Sequence, residues 1–187
     1  TARSREEEVT RDGLLYGDFD VIVYVAEVNN LRRNMYMLLQ ILEAGKKAVL
    51  VVNMMDEAKG RIDLELISRR LGIPVVGTSE RHENPKNKIL DAAKRAKTVI
   101  LPYTHEHDVK SLADECSKHA AKSRLAPEFA ALKIMERDCH IAGLLGMTLA
   151  PCDDCKSCGM DRPAELRYAY IDRVLLGAAE RKNDVRT

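Results

Sequence analysis

The sequence predicts an α/β fold: a parallel sheet with covering helices, followed by an all-helical part. Three short apolar runs carry that prediction, at 20–26 (DVIVYVA), 47–53 (KAVLVVN) and 73–77 (IPVVG). They are β-branched and lack polar alternation, as parallel strands covered on both faces do. Each is followed by a stretch of helical period, and strand–helix repeated three times is the order of right-handed crossovers. From about Thr98 the strand signals fade and only helical patterns remain. The predicted boundary is near Tyr103, giving residues 1–102 and 103–187 as two domains.

The elements follow in order. Residues 1–16 (TARSREEEVTRDGLLY) read as a polar loop entering a short helix, with Ser4 as N-cap ahead of Glu6, Glu7 and Glu8. After the first strand, Leu31, Met35, Leu38, Leu39 and Leu42 fall at helical spacing within 30–44, and Gly45 stands at the C-cap position. An amphipathic helix is predicted over 62–71, ended by Gly72, and another over 85–96. The later helices are predicted near 106–123, 127–146 and 163–181. Between the last two lies APCDDCKSCGMDRP, with three cysteines and two prolines.

Composition narrows the function classes. Thirty basic and 29 acidic side chains are mixed along the chain for a net charge of +1, so no electrostatic footprint for nucleic acid is visible and none is expected as a partner. No apolar stretch approaches the roughly 20 residues of a membrane span. Five cysteines, an odd number, favour a reducing compartment over a disulfide scaffold.

Ligands of open α/β sheets sit beyond the carboxyl ends of the strands. The second strand ends in Asn53-Met54-Met55-Asp56, and the third in Thr78-Ser79-Glu80. A carboxylate after a strand accepts two parallel N–H bonds, which suits the ring N–H and exocyclic amine of guanine and not the edge of adenine. Each such charge-assisted bond contributes about 1.5–3 kcal/mol. Asn53 is positioned to brace the loop and meet the base edge, and backbone N–H groups of the 78–80 turn to donate to the guanine carbonyl. The bland alternative is a strand-end Asx turn with Asp56 as a helix N-cap and Thr78 and Ser79 as capping hydroxyls. Met54 and Met55 read as packing.

NMMD after a buried strand, with TSE about twenty residues on, resembles the guanine-specificity motif and second base-contacting loop of GTPases. NNLRRNMYMLLQILEAGKKAVLVVNMMDEA is similar to the cytosolic G domain of the ferrous iron transport protein B (FeoB) family. TARSREEEVTRD is similar to the segment after that family's second phosphate-contacting loop, and FAALKIMERD and LRYAYIDRVL resemble its helical, GDP-dissociation-inhibitor-like spacer. The resemblance implies a P-loop GTPase-like part lacking its first strands, followed by an all-helical domain. It further implies GTP or GDP as ligand, read through Asn53, Met54, Asp56, Thr78, Ser79 and Glu80, with Mg²⁺ in the intact domain. The membrane pore portion of the same transporter would be its partner, self-association stays open, and the place would be the cytoplasmic side of the cell membrane. GTP binding and hydrolysis would then regulate Fe(II) uptake.

Four departures qualify this. Neither a GxxxxGK[ST] phosphate loop nor a DxxG magnesium loop occurs in the 187 residues, so these residues alone are expected not to hydrolyse GTP. They read either as a piece of a longer GTPase or as a homologue that kept only a base pocket. Met54 stands where many GTPases carry Lys, and Glu80 where Ala is common.

Cys152, Cys155 and Cys158 form CxxCxxC, a spacing used by iron–sulfur and zinc sites. The fourth position of a ferredoxin-type run is Arg162, ahead of Pro163. Cys139, His140, Asp153 and Asp154 are candidate further ligands for iron or zinc, and redox-active or incidental thiols are the alternatives. Cys116 reads as packing. His105 and His107, flanking Glu106, point apart on a helix start, while Glu106 and Asp108 favour the helix dipole. Arg32, Arg33 and Asn34 read as a solvated helical turn. Beside the guanine reading stand two rivals: a nonenzymatic regulatory or assembly module with a degenerate nucleotide site, and a metal-handling module centred on the cysteine loop.

Overall fold

Residues 48–52 (AVLVV) offer water no polar side chain, and in the computed structural model of the chain they form the buried middle of a sheet, each at most 3% exposed. The structure describes residues 5–79, 84–119, 125–149 and 161–181. Along the chain run α1 (Arg5–Tyr16), β1 (Ile22–Glu27), α2 (Leu31–Glu43), β2 (Ala48–Asn53), β3 (Gly60–Ile62), α3 (Leu64–Leu71), β4 (Val75–Gly77), α4 (Lys86–Arg95), α5 (His107–His119), α6 (Pro127–Met135), α7 (Cys139–Leu145), α8 (Arg162–Leu175) and β5 (Ala179–Arg181). They divide into two compact units.

The sheet unit comprises Phe19–Leu42, Lys46–Val99 and the chain from Tyr168 onward. Its three-stranded sheet has the order β1-β2-β4 and is parallel throughout. The registers pair Glu27 with Asn53, and Val52 with Gly77, so all three strands finish at one edge. On one face of β2, Val49 and Val51 pack with Ala92 of α4, and Val76, Ile89 and Ala93 close around them. The predicted spacing on α2 holds: Leu31, Met35, Leu38, Leu39 and Leu42 are all buried. α3 begins where the Asp63 side chain accepts the Leu66 N–H at 2.9 Å, and ends at Gly72, whose φ of 74° is the left-handed cap that glycine adopts without strain.

Two expectations for this unit are corrected. β1 is not covered on both faces. It is the edge of the sheet, and Val23 and Val25 are 44% and 58% exposed. The helix expected over 163–181 stops at Leu175, and residues 179–181 instead form β5, antiparallel to β3, with the Asp63 N–H donating to the Ala178 carbonyl at 2.8 Å. The turn between them is capped by Arg70, whose guanidinium donates to the carbonyls of Arg173, Val174 and Leu176 at 3.1, 2.9 and 2.5 Å. These last carbonyls of a helix have no intrahelical partner, and a cationic donor satisfies them.

The helical unit comprises the chain up to Asp18, Glu43–Gly45 and Ile100–Arg167. The helix expected over 127–146 is two helices. Arg137 adopts a left-handed φ of 58°, and the Asp138 side chain then accepts the His140 and Ile141 N–H groups at 3.0 and 3.2 Å, starting α7. The unit's interior holds an ionic network. Arg167, fully buried, donates from Nε and Nη2 to both oxygens of Glu43 at 2.8 Å each, and from Nη1 to Glu136. Tyr103 donates its hydroxyl to Glu43, and Lys133 reaches Glu136 at 2.7 Å. Two cations thus face two carboxylates. Burial opposes the charge on Arg167, but Glu43 and then Glu136 outweigh it and hold the guanidinium above its ordinary pKa. Burial likewise raises Glu136, and Arg167 and Lys133 together pull it below the usual carboxylate value.

Candidate functional site

The carboxyl ends of β1, β2 and β4 lie side by side, and the loop that leaves the central strand is held from both flanks. After Asn53 the backbone turns through Met54 in the left-handed region (φ 61°, ψ 39°) into a short 3₁₀ turn over Met55–Glu57. On the β4 side, the Thr78 N–H donates to the Val52 carbonyl at 2.9 Å, and the Met55 N–H donates to the Thr78 carbonyl at 3.0 Å. The Thr78 hydroxyl donates to Asn53 Oδ1 at 2.8 Å. The two loops that sequence reasoning paired are therefore joined by three hydrogen bonds. With its Oδ1 engaged, Asn53 presents its amide N–H groups as donors.

Gly77 lets the loops meet. A Cβ there would lie 2.7 Å from Leu64 Cδ1 and 3.2 Å from Met55 Cγ, so Met55 packs where any larger residue would stand. That bears out the packing reading of Met55. Asp56 is exposed on the 3₁₀ turn, and the N-cap position of that turn is Met54, without a side-chain cap. Ser79 is half-buried beside Thr78. Glu80 lies outside the described residues.

On the β1 side stands a residue that sequence reasoning missed. Asn29 donates from Nδ2 to the Glu57 carbonyl at 2.9 Å, and its Oδ1 accepts the Lys59 N–H at 3.2 Å. The Asn pair in VNN follows the first strand at the same sheet edge. Arg32 is exposed, as the reading of a solvated turn expects, and it also pairs with Asp172 through Nε and Nη2 at 2.7 and 3.0 Å and lies 4.7 Å from the ring centre of Tyr168. The first turn of α2 is thus committed to α8, and the hydrogen bond from Arg32 holds the Asp172 carboxyl below its usual pKa.

Cys152, Cys155 and Cys158, with Asp153 and Asp154, lie outside the described residues. Among the described residues no cluster of three His, Cys, Asp or Glu side chains has metal-holding geometry. Arg162 pairs with Asp108 at 2.9 Å and with Glu106 at 3.7 Å, which adds a partner to the dipole role foreseen for both acids. His140 meets the Tyr16 hydroxyl at 3.4 Å, Cys139 is exposed, and Cys116 is buried. A groove of about 560 Å³ in the sheet unit, lined by Leu64, Ser68, Arg69, Ile73 and Arg95 among others, includes none of Asn53, Met54, Asp56, Thr78 and Ser79.

A parallel sheet whose central strand releases an Asn-x-x-Asp loop braced by its neighbours defines an α/β domain of the class whose ligands sit beyond the strand ends. The family model described as ferrous iron transport protein B matches residues 1–93. The Fe(2+) transporter FeoB of Helicobacter pylori is 32% identical over 135 residues, 70% of this chain and 21% of that protein. That of Salmonella typhimurium is 41% identical over 76 residues, 39% of this chain and 10% of that protein. Crystal structures of the cytosolic domain of the T. maritima FeoB iron transporter superpose with TM-scores of 0.80 for a GDP form and 0.79 for the apo form. Their identities are 30% and 31%, over 94% of this chain and 74% and 73% of those chains. The chain belongs to the ferrous iron transport protein B family. It spans about a tenth to a fifth of the length of these curated relatives. Among the described residues no helix is long and apolar enough to cross a membrane.

Proposed function

We propose that this chain is the guanine-nucleotide-binding cytosolic region of a ferrous iron transporter, in which GTP binding and hydrolysis by the intact protein regulate Fe(II) uptake. The observation that carries the reading is the bonded junction of the two strand-end loops, Thr78 to Asn53 and Met55 to Thr78. The GDP and GMPPNP forms of the T. maritima domain support it. In this reading Asp56 accepts the ring N–H and exocyclic amine of guanine. Asn53 braces the loop and donates to the base edge, Met54 lies against the base, and the Thr78–Ser79–Glu80 turn donates to the carbonyl oxygen. Residues 1–102 are the G-domain part and 103–187 the helical spacer, on the cytoplasmic side and working with the membrane pore portion.

The residues present fit the base end of the nucleotide. With no GxxxxGK[ST] or DxxG pattern among them, no phosphate or Mg²⁺ ligand is assigned and no hydrolytic step is derived. The test is an NMR titration of the 187-residue chain with GMP and AMP. Shifts at Asn53–Glu57 and Thr78–Ser79 with GMP alone are expected; equal response to AMP contradicts the reading. The CxxCxxC spacing favours a second reading, iron or zinc held by Cys152, Cys155 and Cys158. Anaerobic titration followed by metal analysis decides it, and binding below about a tenth of an equivalent sinks it.

A further inference from the structure

We propose that Asn29 is a positioning residue for guanine selectivity, acting on Asp56 through the backbone of the loop that carries it. This rests on the base-binding reading above and extends it to a residue outside both base-contacting loops. A loop that distinguishes guanine by two parallel hydrogen bonds must hold its carboxylate to within a few tenths of an ångström, because the second bond is lost on a small rotation that leaves the first intact. The structure supplies that restraint from both sides. Thr78 fixes the entry of the loop, at Asn53 and Met55. Asn29 fixes its exit, one amide side chain donating to the Glu57 carbonyl at 2.9 Å and accepting the Lys59 N–H at 3.2 Å. Asp56 lies between these anchors.

The clamp uses both halves of an amide. A planar group with a donor and an acceptor meets a carbonyl and an N–H two residues apart at once. Asn29 is itself anchored: it sits in the 3₁₀ turn Val28–Asn30, whose Val28 is 4% exposed, and the next residue, Asn30, donates to Glu27 at 2.7 Å. Glu27 is in register with Asn53, so the clamp and the loop it holds are built on adjacent strands, which is the rigid mounting that such a contact requires.

The experiment compares GMP with IMP, whose base lacks the exocyclic amine, by NMR titration of the 187-residue chain and its variants, with amide hydrogen exchange at Lys59 as an independent readout. In the native chain GMP is bound about tenfold more tightly than IMP, the difference one charge-assisted hydrogen bond makes. In Asn29→Ala the ratio falls to about one or two, IMP binding changes by less than about twofold, and Lys59 exchange accelerates about tenfold. A general loss of structure would weaken GMP and IMP together, so the ratio separates positioning from stability. Asn29→Asp keeps the acceptor for Lys59 and loses the donor to Glu57, so it retains Lys59 protection with an intermediate ratio; it serves if Asn29→Ala does not fold. An unchanged ratio in both variants, or unchanged Lys59 exchange in Asn29→Ala, overturns the inference and leaves the guanine reading standing. No preference for GMP over IMP in the native chain overturns the guanine reading, and the inference with it.

Discussion

Met54 adopts a left-handed backbone that suits glycine or asparagine and costs an ordinary side chain about 1–2 kcal/mol. The strain is held in place by the bonds on either side of it, at Asn53 and Met55, and it turns the chain sharply enough to bring Asp56 onto the sheet edge. A β-branched residue tolerates this conformation least. Met54→Val should therefore lower the thermal midpoint and GMP binding together, whereas Met54→Asn should preserve the thermal midpoint. Thr78→Val removes one hydroxyl donor at nearly constant volume and should cost about 1 kcal/mol, read by urea denaturation. At this scale Asn53 and Thr78 were legible because a strand end followed by polar residues is a strong positional signal in a parallel sheet. Asn29 was not, since an Asn after a strand reads equally as a turn former, and its two partners lie 28 and 30 residues away. Arg32 is exposed, as its place at a helix start suggests, but its partner Asp172 is 140 residues on and left no local sign.

The elements that periodicity announces were found where runs were long. β2 and α2 carry continuous or strongly patterned apolar residues, and the structure places them within a residue or two of expectation. β3 and β5 have three residues each, too few for alternation to register, and their pairing joins Gly60 to Arg181. The α6–α7 break is subtler. Nothing in MERDC is a helix breaker, and the positive φ falls on Arg137; the one local sign is Asp138, a good N-cap. Its carboxylate accepts two of the N–H groups that a helix start leaves unpaired. Asp138→Ala should cost about 1–2 kcal/mol, with Asp138→Asn recovering most of it, as measured by urea denaturation followed by far-UV circular dichroism.

At the scale of the molecule, the sequence's mixed charge concealed a buried ionic cluster in the helical unit. Glu43 and Arg167 are 124 residues apart, and a Glu closing an amphipathic helix reads as surface. Arg167→Met leaves Glu43 and Glu136 without their shared cation and should destabilise the helical unit by about 3–5 kcal/mol. The acid dependence follows from Glu136. Its folded pKa is depressed, so its contribution is fully present above the unfolded value of 4.5 and is lost as pH falls through the lower folded value. Stability measured below pH 4.5 should decline in the native chain and decline less in Glu136→Gln. The parallel sheet was readable from pattern; the cluster was not, because pairing of distant charges leaves no periodic trace. The central claim is that Asp56 reads guanine through its carboxylate, and exchanging that carboxylate for an amide tests it most directly. In NMR titrations with GMP and XMP, the native chain should bind GMP in preference. Asp56→Asn should lose GMP and gain XMP, whose carbonyl replaces the amine and accepts the new amide N–H. An Asp56→Asn chain that keeps the native preference for GMP contradicts the account.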